Sequence, residues 1–203
     1  MKLIGWLDSP YVRRVAITMR FLGIEYEQQK LSIFYEYDEF RRINPLVKVP
    51  TLVFDDGGIL VDSTLIIDHL ESISPNRSLV PESPAQQRLS LQHTGVALVA
   101  MEKVVQLIYE LKKRPPESRH EPWKERVLQQ LDSACELMDA TVDGLDSWLF
   151  GLQISQADVT IAVAWRFVQN VFPEFIEESR FPGLVKFSAQ AEQLPEFIAC
   201  PLS

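Results

Sequence analysis

The chain has 203 residues, a formal net charge of −8, and 46% hydrophobic content. That length fits one large domain or two small ones, and the composition supports a real core. The acidic balance argues against nucleic acid as a partner, because holding a phosphate backbone takes a basic face.

Leu3-Ile4-Gly5-Trp6-Leu7 reads as a first strand. It does not read as a secretory leader, since only five uncharged residues separate Lys2 from Asp8. No apolar run approaches the roughly 18 residues that span a bilayer, so no membrane partner is expected. A reducing, cytoplasmic setting is the expectation. In the stretch that follows, Val12, Val15, Ala16, Met19 and Leu22 recur at helical spacing. Ser9 stands at the strand-to-helix junction. It is a favoured N-cap type, with Pro10 at the first helical position. A hydroxyl there lies beside unpaired N–H groups and the positive end of a helix dipole, a place that suits an anion such as a ligand thiolate. On this stretch alone, a plain helix cap accounts for it.

Gly23 reads as the C′ residue of that helix. Residues 24–29 read as a second strand parallel to the first, completing a βαβ unit. Residues 30–45 carry Phe34, Tyr35, Tyr37 and Phe40, then Arg41 and Arg42, and read as an irregular helix or loop. Val49 precedes a proline and is expected to be extended. Pro50 opens a third strand. Asp55-Asp56-Gly57-Gly58 is a turn, and Ile59-Leu60-Val61 returns as the second arm of a hairpin. Leu65, Ile66, Ile67, His69, Leu70 and Ile73 then predict a helix, capped by Ser63 or Asp62. This order, βαβ, a short helix, then ββα, is the thioredoxin-like layout.

The proline- and serine-rich stretch after residue 75 reads as a domain linker over 76–84. A long helix is predicted from Ala85 to Lys113, its stripe formed by Ala97, Met101, Val104, Ile108 and Leu111, and Pro115-Pro116 stops it. A second runs from about Pro122 to Leu145, with Cys135 on its apolar face, where a small buried side chain is the natural reading. Cys200 lies far away in sequence, and neither a disulfide framework nor a zinc site is expected. His69, His93 and His120 show no metal spacing. Ser155-Gln156-Ala157-Asp158 fits a capping box. It opens a helix apolar on nearly every side, predicted to be the buried centre of a second domain over 85–203. Phe181-Pro182-Gly183 begins a further helix, and Pro195 a short last segment.

Three pieces now fall into one order: Ser9-Pro10, then Asn44-Pro45-x-x-Lys48-Val49-Pro50-Thr51-Leu52, then Asp62-Ser63-x-x-Ile66. Together they resemble the N-terminal domain of the cytosolic glutathione S-transferase superfamily, in the manner of its bacterial serine-type members. The likeness continues through the second half. It implies an α/β thioredoxin-like N-terminal domain (βαβαββα, residues 1–75) followed by an all-α C-terminal domain. It implies glutathione as co-substrate, with no metal. By this resemblance the Val49-Pro50 bond is cis, and the Val49 backbone pairs with the cysteinyl part of glutathione. Asp62 takes the glutathione amine and Ser63 the γ-glutamyl carboxylate. Lys48, or Arg41 or Arg42, reaches the glycyl carboxylate. Ser9 is the implied catalytic residue, donating a hydrogen bond to the sulfur. Relatives more often carry Glu or Gln at the place of Asp62, and many carry Gly at that of Val47. Tyrosine-type relatives use a Tyr near the end of the first strand, where this chain has Trp6 and Leu7. Cysteine-type relatives have Cys at the place of Ser9.

The implied activity is attack of the glutathione thiolate on a hydrophobic electrophile, in a cleft walled by Tyr11, Phe34, Tyr35, Met101 and Tyr109. A homodimer is implied as well. Two alternatives accompany this: a glutathione-dependent disulfide reductase or peroxidase, and a non-catalytic protein-binding module. The Ser-x-x-Asp at 155–158 carries a folding role in the family and is assigned that role here.

Overall fold

The computed structural model describes residues 1–202 and divides into two compact units. Residues 1–80 form the first, joined by the chain from Gln193 onward, and residues 81–192 form the second.

The first unit is built on a mixed sheet in the order β2-β1-β3-β4. β1 (Lys2–Ile4) runs parallel to β2 (Glu27–Gln29) and antiparallel to β3 (Thr51–Val53), which pairs antiparallel with β4 (Ile59–Val61). Leu3 stands opposite Leu52, and both are fully buried. The strand stops at Ile4 rather than continuing to Leu7. Gly5 turns the chain at φ 134°, and a Cβ there would lie 2.7 Å from Val12 Cγ2 and 3.0 Å from Val49 Cγ1. Only glycine permits that backbone and that approach. β2 begins at Glu27, later than the apolar alternation suggests, and β3 begins one residue after Pro50.

α1 (Pro10–Leu22) is buried on most of its surface and closes on Gly23 at φ 69°. The Gly23 N–H donates to Arg20 O and the Ile24 N–H to Met19 O, which satisfies the last carbonyls of the helix. α2 (Tyr37–Ile43) is the ordered part of the irregular stretch, and Phe40 anchors it in a cluster with Ile4 and Leu31. α3 (Ser63–Ser72) packs against α1. Its N-cap is Asp62, whose carboxylate receives the Thr64 N–H at 2.8 Å.

The last helix, α8 (Pro195–Ile198), belongs with the first unit, although the sequence places it in the helical domain. Phe197 is fully buried, with its ring edge-on to Phe21 and under the Arg13 guanidinium. Arg13 Nε donates to Cys200 O at 2.8 Å. A buried guanidinium needs acceptors, and here the returning chain supplies one.

In the second unit, α4 (Pro84–Ile108) packs on α5 (Glu121–Val142) and α6 (Gln156–Val171), with α7 (Pro182–Ala191) against α5 and α6. Ser83 caps α4, accepting from the Gln86 N–H. The regular helix ends at Ile108, and Tyr109–Lys113 continue it as a π-helical turn. Buried Glu110 holds that turn by accepting the His120 N–H at 2.6 Å and pairing with Arg114 at 3.3 Å. α6 is buried along nearly its whole length and opens on the predicted capping box. Asp158 Oδ2 accepts the Ser155 N–H at 2.7 Å, and its Oδ1 accepts the Leu149 N–H at 2.9 Å. Among the described residues, no helix is long and apolar enough to cross a membrane.

Candidate functional site

Three stretches of the first unit converge on α1. Gly5 brings the tip of β1 against both Val12 and Val49. Arg14, two residues further along α1 than Val12, reaches Ser63 at the start of α3. The N-terminal turn of α1, the loop before β3 and the N-terminus of α3 are thereby held by one helix.

Ser9 caps α1 with extended backbone angles and is half-buried. Its Oγ accepts only a long contact, 3.5 Å, from the Val12 N–H. Among the described residues its O–H has no acceptor, so it is open to donate to a ligand at the positive end of the helix. Asp8 beside it is exposed.

The loop from Asn44 to Thr51 is tied internally. Fully buried Asn44 accepts the Leu46 N–H at 2.9 Å and donates to Thr51 Oγ1 at 2.8 Å. Thr51 in turn donates to Lys48 O at 2.6 Å. The Val49-Pro50 bond is cis. Val47 stands at φ 47°, left-handed space that favours glycine, and its side chain and that of Val49 pack on the Ile4, Leu31 and Phe40 cluster. Packing gives Val47 a role that glycine could not fill. Among the described residues, neither the Val49 N–H nor its C=O has a backbone partner. That is a short open edge, suited to an extended peptide.

At α3, Asp62 is exposed and sits at φ 67°. With ψ at 131° it lies outside the left-handed helical region that aspartate tolerates, so its backbone is strained. Ser63 is buried, with its Oγ receiving Arg14 Nη1 at 2.9 Å. The first-turn N–H groups of a helix have no partner within it, and the dipole there favours a carboxylate.

Lys48, Arg41 and Arg42 are all exposed. Tyr11 is half-buried, and Phe34 and Tyr35 are exposed beyond β2. In the second unit Tyr109 is 48% exposed at the head of the π-helical turn. Met101, expected as a wall for a co-substrate, has no exposed surface. It lies on the inward stripe of α4 with Ala97 and Val104, which makes it a packing residue. Both cysteines are free and buried. Burial pushes the Cys135 thiol up to about 12 and also raises that of Cys200. Neither offers a thiolate at neutral pH. Among the described residues, no three or more His, Cys, Asp or Glu are grouped to hold a metal ion.

Sequence reasoning missed Gly5, Arg14 and the linked pair Asn44 and Thr51. The last two lay inside a stretch singled out for Val49, and their polar types in an otherwise apolar loop were the available signal. Nothing in the apolar spacing marks Arg14 as buried.

Residues 3–78 match the family model of the glutathione S-transferase N-terminal domain, and residues 121–189 that of the C-terminal domain. Glutathione S-transferase U4 of Arabidopsis thaliana is 33% identical over 92 residues, which is 45% of this chain and 41% of that protein. The matched stretch covers only about two fifths of the curated relatives at 31–33% identity. Glutathione S-transferase Z2 of the same plant is 24% identical over 97% of this chain and 88% of its own length. Among solved structures, a glutathione S-transferase of Methylobacterium radiotolerans, in complex with glutathione sulfonate, superposes with a TM-score of 0.91. It is 25% identical, covering 100% of this chain and 95% of that one.

Proposed function

Because the chain belongs to the glutathione S-transferase superfamily, with both of its domains matched, we propose that it is a serine-type glutathione transferase. Bound glutathione is the nucleophile, and a hydrophobic electrophile is the second substrate. The observation that carries this is the open main-chain edge of Val49, braced by Asn44 and Thr51, on the same small unit as the free Ser9 hydroxyl.

The cysteinyl residue of glutathione pairs with the Val49 N–H and C=O. The γ-glutamyl amine goes to the Asp62 carboxylate and its α-carboxylate to Ser63 at the start of α3. Lys48 is the candidate for the glycyl carboxylate. The Ser9 O–H donates to the sulfur, and the α1 N-terminus adds its positive potential. A free thiol titrates near 8.5, and such surroundings lower it. The thiolate then forms a bond to the electrophilic carbon as the leaving group departs. Tyr11 and Phe34 on the first unit are the candidate aromatic surface for that substrate. Because both protein thiols are buried, the sulfur chemistry falls to glutathione alone.

Titration of the ultraviolet absorbance of the bound thiolate, in wild type and Ser9→Ala, tests this reading. The expected result is a thiol pKa below the free value in wild type and closer to it in the variant. The thiolate fraction at pH 7 then falls in Ser9→Ala, by up to tenfold per pH unit of the rise. An unshifted pKa in wild type, or no change in the variant, would remove Ser9 from this role. Absence of binding would favour the protein-binding module.

A further inference from the structure

Through most of its length α6 is buried, and its polar, accessible strip lies at the C-terminal end. Arg166, Gln169 and Asn170 stand at i, i+3 and i+4, which puts them on one face. They line a cleft of about 550 Å³, to which the following loop contributes Glu177, Glu178 and Ser179. The walls are fixed by the chain itself. Phe172 and Ile176 anchor the loop in the core, at 2% and 1% exposure. Gln169 Nε2 donates to Ile176 O at 3.0 Å. Arg180, just after Ser179, is held on α5 by two hydrogen bonds to Asp132, at 2.6 and 2.9 Å. A preformed cleft of several hundred Å³ is the usual form of a small-molecule site.

The charges in this cleft are not paired with one another. Among the described residues Arg166 has no ion pair, and neither Glu177 nor Glu178 has one. The neighbouring cation Arg180 is committed to Asp132 and Glu136, and acts on Glu177 only through space. The cleft therefore presents one guanidinium, two carboxylates, and the amide and hydroxyl of Asn170 and Ser179.

We infer that this cleft is a binding site for a basic α-amino acid, a molecule with one carboxylate and two cationic groups. All of its lining residues lie in the second unit, whereas the proposed glutathione contacts lie in the first. Arg166 takes the carboxylate, for which its forked donors are suited. Glu177 and Glu178 take the two cationic groups, and Asn170 and Ser179 add hydrogen bonds that orient the ligand. Charge complementarity decides against the simpler ligands, because like charges brought together across an interface are costly. An inorganic or organic dianion would meet two carboxylates, a diamine would meet Arg166, and a neutral ligand would leave all three charges without a counter-charge.

The test uses three probes of nearly one size. L-lysine carries all three charges, L-norleucine lacks the side-chain ammonium, and 1,5-diaminopentane lacks the carboxylate. Dissociation constants are measured by NMR titration at low salt on wild type, Arg166→Gln and the double variant Glu177→Gln/Glu178→Gln. The changed side chains are exposed, so the variants keep the fold, which thermal unfolding checks. In wild type lysine binds more tightly than either analogue, by about fivefold for each missing charge, the upper scale of an exposed charge pair. Arg166→Gln removes the preference for lysine over the diamine and keeps that over norleucine. The double variant removes the preference over norleucine and keeps that over the diamine. If lysine does not bind, binds no better than its analogues, or binds the variants as it binds wild type, the proposal is overturned.

Discussion

Val49 is offered to a ligand through its main chain, and the posture of that main chain depends on side chains that meet no ligand. Asn44 is buried and bridges Leu46 to Thr51, and Thr51 closes on Lys48 O. Asn44→Ala leaves the part-buried Leu46 N–H without its acceptor and takes from the Thr51 hydroxyl the N–H it accepts, at a cost of about 1–3 kcal/mol. Urea unfolding is expected to show that loss, and titration of the folded variant to show weaker glutathione binding. Retention of full affinity would mean that the loop holds its shape without Asn44. The Val47 position illustrates a compromise at the same scale. Its φ of 47° favours glycine, yet its side chain packs on the Ile4 and Phe40 cluster.

At the scale of elements, the capping box of α6 joins a local signal to a longer tie. Ser155 and Asp158 satisfy each other's backbone, as their spacing predicts. Asp158 also accepts the Leu149 N–H, which fixes the preceding loop to the helix. Removing an ordinary cap costs about 1 kcal/mol. Asp158→Ala is expected to exceed that, because it strands buried donors as well. Thermal unfolding measures the effect. The affinity of the remaining folded protein for glutathione should be unchanged, since every proposed contact to that ligand lies in the first unit. A parallel loss of affinity would contradict the folding role. The short α8 makes a different point. Its anchor, Phe197, packs on Phe21 and Arg13 of α1, far away in sequence. Local pattern has no term for such a return.

For the whole molecule, the net charge of −8 fits a small-molecule enzyme better than a binder of phosphate backbones. Each unit also leaves apolar side chains in solvent: Ile59, Leu65 and Ile73 on the first, and Leu91, Val99 and Leu137 on the second. Exposed apolar side chains are available to a partner, and we propose that the partner is a second copy of this chain, as the family resemblance implies. Gel filtration with light scattering should give about twice the 23.3 kDa chain mass across a wide concentration range. A monomer at every concentration would set the dimer aside.

By itself the sequence determined the order of elements, the hairpin, the caps at Ser9 and Ser155 and the stretches that build the candidate site. These are set by neighbours in the chain: apolar spacing, proline and glycine punctuation, and hydroxyl or carboxylate caps. Only the tertiary structure decided that Gly5 is squeezed between Val12 and Val49, that Arg14 is buried under Ser63, that Met101 has no surface and that the last helix rejoins the first unit. In each case the deciding contact joins residues far apart in sequence. Whether such a side chain faces a neighbour or the solvent is set by packing between elements, which local periodicity does not encode.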